Sequence, residues 1–163
     1  MITLVLGGTR SGKSEVAERI AAEVGGPVTF VATVTVTDPD MAGRVEAHRA
    51  RRPSSWDTVE CGHELVDTVA QTEGTVLVDS LGPWVAQAPD MNVDGAGLVA
   101  ALMQRRDPAV VVSEEVGLSV HPSTEAGRRF ADALGALNAA VARVADEVLL
   151  VVAGRALSLP EAG

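Results

Sequence analysis

At 163 residues the chain has the size of one domain, long enough for a single well-filled core, so one domain over 1–163 is expected. Apolar residues make up 47% and charged residues 21%, which excludes a disordered chain; with two Phe, two Trp and no Tyr, the core must be built from Val, Leu and Ala. A formal net charge of −9 argues against a nucleic-acid partner, whose phosphates reward a basic surface.

The N-terminal "MITLVLGG" has no basic n-region and too short an apolar run for a signal peptide. No stretch approaches the ~18 apolar residues of a membrane helix, so a cytoplasmic protein without membrane insertion is expected. The run "ITLVL" (2–6) reads as a buried strand, and "SEVAERIAAEV" (14–24) as the helix after it. Between them, "GGTRSGKS" (7–14) fits G-x-x-x-x-G-K-[ST], with Gly7, Gly12, Lys13 and Ser14 at the defining positions. Glycines free the backbone to aim successive N–H groups at phosphate oxygens, and the helix N-terminus adds partial positive charge. Lys13 reaches the β and γ phosphates, and the Ser14 hydroxyl can ligate Mg²⁺. A strand before and a helix after make this a nucleotide site.

A second strand, "VTFVATV" (28–34), precedes a helical pattern over 39–52, opened by Asp38 and Pro39 as cap and first turn. On that helix Arg44, His48 and Arg52 share one face, with Arg51 at its edge. Stacked guanidinium groups repel, and a bound triphosphate would relieve them through bidentate pairing. Imidazole, with a reference pKa of about 6.5, is largely neutral at pH 7 and keeps a lone pair able to attack phosphorus. Spacing alone leaves two readings of His48 open, a solvated helix face and a nucleophile. The one cysteine, Cys61, cannot form an intrachain disulfide and is expected as a buried thiol.

A helix over 62–71 leads to the strand "TVLVDS" (75–80), whose Asp79 is the candidate acid for magnesium. The segment 82–97, rich in Gly, Pro, Asp and Asn, reads as a long loop or lid. A helix over 95–106 precedes "AVVVSEE" (109–115), where Glu114 and Glu115 close a strand at the ligand-binding edge. Adjacent strand residues point to opposite faces, so one carboxylate is expected at the site, Glu115 by preference, as metal ligand or base. A helix over 123–145, with Gly127 and Gly135 as weak points, and the strand "EVLLVVAG" (147–154) end the alternation. The pattern predicts an α/β fold of the P-loop NTPase type, three layers around a mostly parallel central sheet.

In order, "GGTRSGKS", "FVATV", "DPDMAGRVEAHRARRPSSWDTVE", "VLVDSLGPWV", "VVSEEVGLSVHP" and "GRRFADALGALNAAVARVADEVLLVVAG" resemble the bifunctional adenosylcobinamide kinase / adenosylcobinamide-phosphate guanylyltransferases of cobalamin biosynthesis. The block R-x-x-x-H-x-x-x-R-P-x-x-W-x-T-x-E is the most specific part. The resemblance implies phosphorylation of adenosylcobinamide by ATP or GTP, then transfer of GMP from GTP through a covalent GMP–histidine at His48. It carries nucleotide contacts over to Gly7, Gly8, Thr9, Arg10, Ser11, Gly12, Lys13 and Ser14. The same holds for Thr33, Val34, Thr35, Arg49, Ala50, Arg51, Arg52, Glu60 and Asp79. Catalytic roles fall on His48 and Lys13, and Mg²⁺ on Ser14, Asp79 and Glu115. A homo-oligomer is implied by analogy. The chain departs from the pattern at Glu114, where asparagine is usual, at Gly82, where threonine is common, and at Ala139, where glutamine is usual. Two other readings stay open: guanylyl transfer alone, or a P-loop NTPase module without a small-molecule acceptor.

Overall fold

The computed structural model describes residues 1–34, 50, 52–118 and 120–161. The helix expected over 39–52, with Asp38, Pro39, Arg44, His48, Arg49 and Arg51, lies outside them apart from Ala50 and Arg52, and so does Thr35. Seven strands form one sheet in the order β3-β2-β4-β5-β1-β6-β7. These are β1 (Ile2–Gly7), β2 (Val28–Ala32), β3 (Asp57–Glu60), β4 (Thr75–Asp79), β5 (Ala109–Glu114), β6 (Glu147–Val152) and β7 (Arg155–Ser158). All neighbours are parallel except β6 and β7, which form an antiparallel hairpin.

Both faces of the inner strands are apolar because both are covered. Leu4, Val31, Val76, Val78, Ala109 and Val111 face one helical layer, made of α2 (Leu65–Gln71), α3 (Leu81–Gln87), α4 (Gly95–Gln104) and α5 (Glu125–Ala142). Val5, Val28, Phe30, Leu77, Val110 and Val112 face the other, where α1 (Lys13–Val24) inserts Val16, Ala17 and Ala21. The three-layer, mostly parallel α/β expectation is met. Cys61 is buried as expected, and its burial, aided by Glu64, pushes the thiol up to about 11.

Two parts of the sequence reading change, and the helix expected over 123–145 is met. The 82–97 segment is not an open loop: α3 buries Leu81, Trp84 and Val85, and a short 3₁₀ turn (Pro89–Met91) leads on toward α4. Pro83 sits in the first turn of α3, where its missing N–H has no helical partner to lose. Strands β3 and β7 were not anticipated because every residue in them is exposed, so neither carries a buried apolar pattern. The glycines of α5 do not break it; Gly127 N donates to the Thr124 hydroxyl as part of the helix cap. No helix among the described residues is long and apolar enough to cross a membrane.

Arg105, just past α4, joins two elements that only the fold brings together. Its guanidinium donates to the carbonyls of Val69 (2.6 Å), Thr72 (2.7 Å) and Gly74, closing the end of α2 and the turn into β4. Burial lowers its pKa from the ordinary arginine value, with Asp107 acting in the opposite direction. Arg105→Ala strands three carbonyls at once and is expected to lose about 2–4 kcal/mol of unfolding free energy in urea titration. Arg105→Lys, lacking the planar fork, should recover only part of it.

Candidate active site

The chain leaves β1 at Gly7, turns through residues 8–12 and enters α1 at Lys13. Arg10 (φ 57°) and Gly12 (φ 91°) are left-handed, so the loop backbone curls into a concave nest of N–H groups. Ser11 N donates to Gly8 O at 3.2 Å, and the Ser11 hydroxyl accepts from Lys13 N at 3.3 Å. Gly12 occupies the N-cap of α1 without a side chain, so the helix presents its first-turn N–H groups to the loop. A cleft of about 830 Å³ opens there, lined by residues 9–15, Glu114, Ala153 and Gly154.

Two glycines in this loop are required by close approach. A Cβ on Gly7 would overlap the Ser11 hydroxyl and lie 2.9 Å from Val151 O, and one on Gly12 would lie 3.2 Å from Gly154 Cα. Gly154 N also donates to Ser11 O at 2.7 Å, so the β6–β7 turn buttresses the phosphate loop from behind. That turn is two residues, Ala153 (φ 51°) and Gly154 (φ 76°), between the paired Val152 and Arg155. Alanine is a poor residue for the left-handed first position, where asparagine is preferred. Ala153→Asn is expected to raise stability by about 0.5–1 kcal/mol, read as a higher urea midpoint with an unchanged slope.

Lys13 Nζ lies 3.4 Å from Gly8 O and 3.7 Å from Glu114 Oε1, at the mouth of the cleft. The carboxylate that faces the site is therefore Glu114, and the preference for Glu115 is corrected. Glu115 turns back on its own loop, where Oε1 accepts from Gly117 N at 2.6 Å and Oε2 from Leu118 N at 2.9 Å. The strand still places only one of the pair at the cleft; loop geometry decided which. Asp79 closes β4, with β5 between it and β1, about 10 Å across two strand spacings.

Thr33 was expected to touch nucleotide, but it is fully buried and engaged with the protein. Its hydroxyl donates to Ser80 O at 2.5 Å and accepts from Ser80 N at 3.1 Å, while Thr33 O accepts from Gln87 Nε2 at 3.0 Å. It fixes the end of β4 beside the site. Val34 follows it at the same edge of the sheet.

Ala50, Arg52 and Glu60 lie apart from the phosphate loop. Arg52 stacks its guanidinium over the Phe30 ring, 3.5 Å from the centroid, and reaches the Thr58 hydroxyl at 3.4 Å. Ala50 and Arg52 border a second cleft of about 550 Å³ with Trp56 and Thr58. Glu60 ends β3, which is separated from β1 by β2, β4 and β5, about 19 Å across four strand spacings. The described residues thus gather 9–14 around one cleft and leave Arg52 and Glu60 at another part of the same sheet. Sequence reasoning missed Ala153 and Gly154, whose only signal was a glycine ending an apolar run. It also missed Ser80 and Gly82, which hold Glu114.

Residues 3–159 match the family described as cobinamide kinase / cobinamide phosphate guanyltransferase. The bifunctional adenosylcobalamin biosynthesis protein CobP of Pseudomonas aeruginosa is 38% identical over 98% of this chain and 97% of its own. The corresponding protein CobU of Escherichia coli is 34% identical over 94% of this chain and 97% of its own. Among solved structures, the flagellar accessory protein FlaH of Methanocaldococcus jannaschii superposes with a TM-score of 0.54 over 97% of this chain and 77% of FlaH. At 15% identity that likeness is one of fold. Matched from its first strand to its last, phosphate loop included, the chain belongs to the cobinamide kinase / cobinamide phosphate guanyltransferase family.

Proposed function

We propose that this protein phosphorylates adenosylcobinamide with ATP or GTP and then transfers GMP from GTP to the resulting phosphate through a GMP–histidine at His48. The observation that carries the reading is the cleft in which the loop nest, the N-terminus of α1 and Lys13 converge on one place. An array of backbone donors with a lysine beside it suits a polyphosphate.

In the phosphorylation step the loop N–H groups hold the β and γ phosphates, and Lys13 offsets charge that builds on the oxygen between them. The acceptor hydroxyl forms an O–P bond to the γ phosphorus as the bond to the β oxygen breaks. In the second reaction the His48 lone pair attacks the α phosphorus of GTP and pyrophosphate leaves. The phosphate of adenosylcobinamide phosphate then attacks the same phosphorus and frees the histidine. Arg49 to Arg52 and Glu60 are the guanine-nucleotide contacts carried over by motif.

Mg²⁺ fits the donors present: the Ser14 hydroxyl lines the cleft, and Asp79 ends a strand at the same edge. Among the described residues no group of three or more His, Cys, Asp or Glu side chains forms a cage, and magnesium binds through phosphates and water with few protein ligands. When bound it neutralises phosphate charge. Glu115, committed to its own loop, does not belong to that donor set. The exposed Val152 and Leu157 on the β6–β7 hairpin support a homo-oligomer.

The test is incubation with α-labelled GTP and Mg²⁺, followed by denaturation. An acid-labile, alkali-stable label on the chain is expected; no label would overturn the histidine mechanism. Transfer of γ-label from ATP to adenosylcobinamide reads the other half.

A further inference from the structure

Glu114 is held more firmly than a residue that merely lines a cleft. It ends β5 opposite Gly7 of β1, and its main-chain carbonyl accepts from Asn138 Nδ2 at 2.9 Å. Asn138 is itself buried and fixed by the Ser113 hydroxyl at 2.6 Å. At the carboxylate, Oε1 accepts from the Ser80 hydroxyl at 2.7 Å and Oε2 accepts from Gly82 N at 2.9 Å. Lys13 Nζ stands 3.7 Å from Oε1. An ionised carboxylate has about four lone-pair sites, so these contacts leave it able to accept one more hydrogen bond from the cleft side.

Gly82 is part of the same arrangement. A Cβ at position 82 would lie 2.8 Å from Glu114 Cδ and overlap the carboxylate itself. The two departures from the family pattern at positions 82 and 114 are thus one physical unit: the absent side chain makes room for the acidic one.

Resting on the phosphorylation reading above, we propose that Glu114 is the proton acceptor for the hydroxyl that attacks the γ phosphorus. The carboxylate lines the same cleft as the phosphate loop, beside the ammonium assigned to the terminal phosphates, and a hydroxyl that attacks the γ phosphorus has to enter that cleft. As the hydroxyl oxygen bonds to phosphorus, the bond from the γ phosphorus to the β-bridging oxygen breaks and its electron pair stays on the nucleoside diphosphate. The hydroxyl proton passes to Glu114 and leaves to solvent after the product departs. An amide in the same place could orient the hydroxyl but could not take its proton. Of the other carboxylates considered, Glu115 is occupied by two backbone N–H groups and Asp79 lies beyond β5.

Glu114→Gln is the discriminating variant, because its amide can still accept from Gly82 N and donate to the Ser80 hydroxyl. The contacts to Ser80 and Gly82 stay, while the base and its ion pair with Lys13 are removed. Single-turnover phosphorylation of adenosylcobinamide at saturating ATP is expected to fall by about 10²-fold. GMP labelling of the chain should fall by a factor several times smaller, since no hydroxyl proton is moved in that step. Gly82→Ala, which displaces the carboxylate, should show the same imbalance. An undiminished phosphorylation rate in Glu114→Gln overturns the proposal. So does an equal loss in both reactions, which would mark Glu114 as a support of the shared phosphate cradle. A wild-type chain that takes the GMP label but phosphorylates nothing overturns the phosphorylation reading and this proposal with it. An active wild type with an equally active Gln variant overturns this proposal alone.

Discussion

His48→Ala is expected to abolish the covalent GMP label and to reduce guanylyl transfer by at least about 10³-fold, while phosphorylation of adenosylcobinamide persists. The reason is chemical. In the proposed mechanism the transfer needs a nitrogen lone pair that bonds to the α phosphorus as pyrophosphate departs, and alanine has none. Phosphorylation uses a hydroxyl of the substrate as nucleophile and has no step through the imidazole. Denaturing electrophoresis after incubation with α-labelled GTP reads the first effect, and γ-label transfer from ATP reads the second. A label that survives His48→Ala would move the nucleophile to another residue.

Lys13→Ala is expected to damage both reactions, by about 10²–10³-fold each, if both draw on one phosphate cradle as the proposed function has them do. The structure gives a second cause beyond the loss of a positive charge. Lys13 is the cation 3.7 Å from Glu114, and its side chain is only 13% exposed. With alanine at 13, a carboxylate faces the incoming triphosphate without its neighbouring ammonium, so nucleotide affinity should fall as well. The double variant Lys13→Ala/Glu114→Gln should therefore bind ATP more tightly than Lys13→Ala, a non-additive result readable by calorimetry. Full activity in Lys13→Ala would contradict the role given to the loop.

The sheet was legible where strands are buried on both faces. "ITLVL", "TVLV" and "AVVV" are apolar without alternation because a helix layer covers each side, and the structure places them at the centre. Exposed β3 and β7 had no such signature, although each forms an edge of the sheet. The stretch around Pro83 misled in the other direction. Its composition suits a loop, yet Leu81, Trp84 and Val85 bury one side of a short helix, and tertiary burial overrides weak local propensity.

By itself, the sequence determined the phosphate loop: glycine spacing, lysine and hydroxyl are chemical requirements that survive without knowing what packs nearby. It also determined the layered parallel architecture, because burial on two faces leaves its mark on every residue of a strand. Whole-chain pattern, not helical spacing, singled out His48. Only the tertiary structure decided that Glu114 and not Glu115 faces the cleft, since two backbone N–H groups of the next turn claim Glu115. Only it showed that Thr33 is buried against Ser80, that Gly154 braces the loop, and that Gly82 gives Glu114 its space. The Glu115 turn is local, whereas the contacts of Thr33, Gly154 and Gly82 join residues distant in sequence. Strand periodicity fixes which face a side chain starts from, and the neighbours brought there by the fold fix what it does.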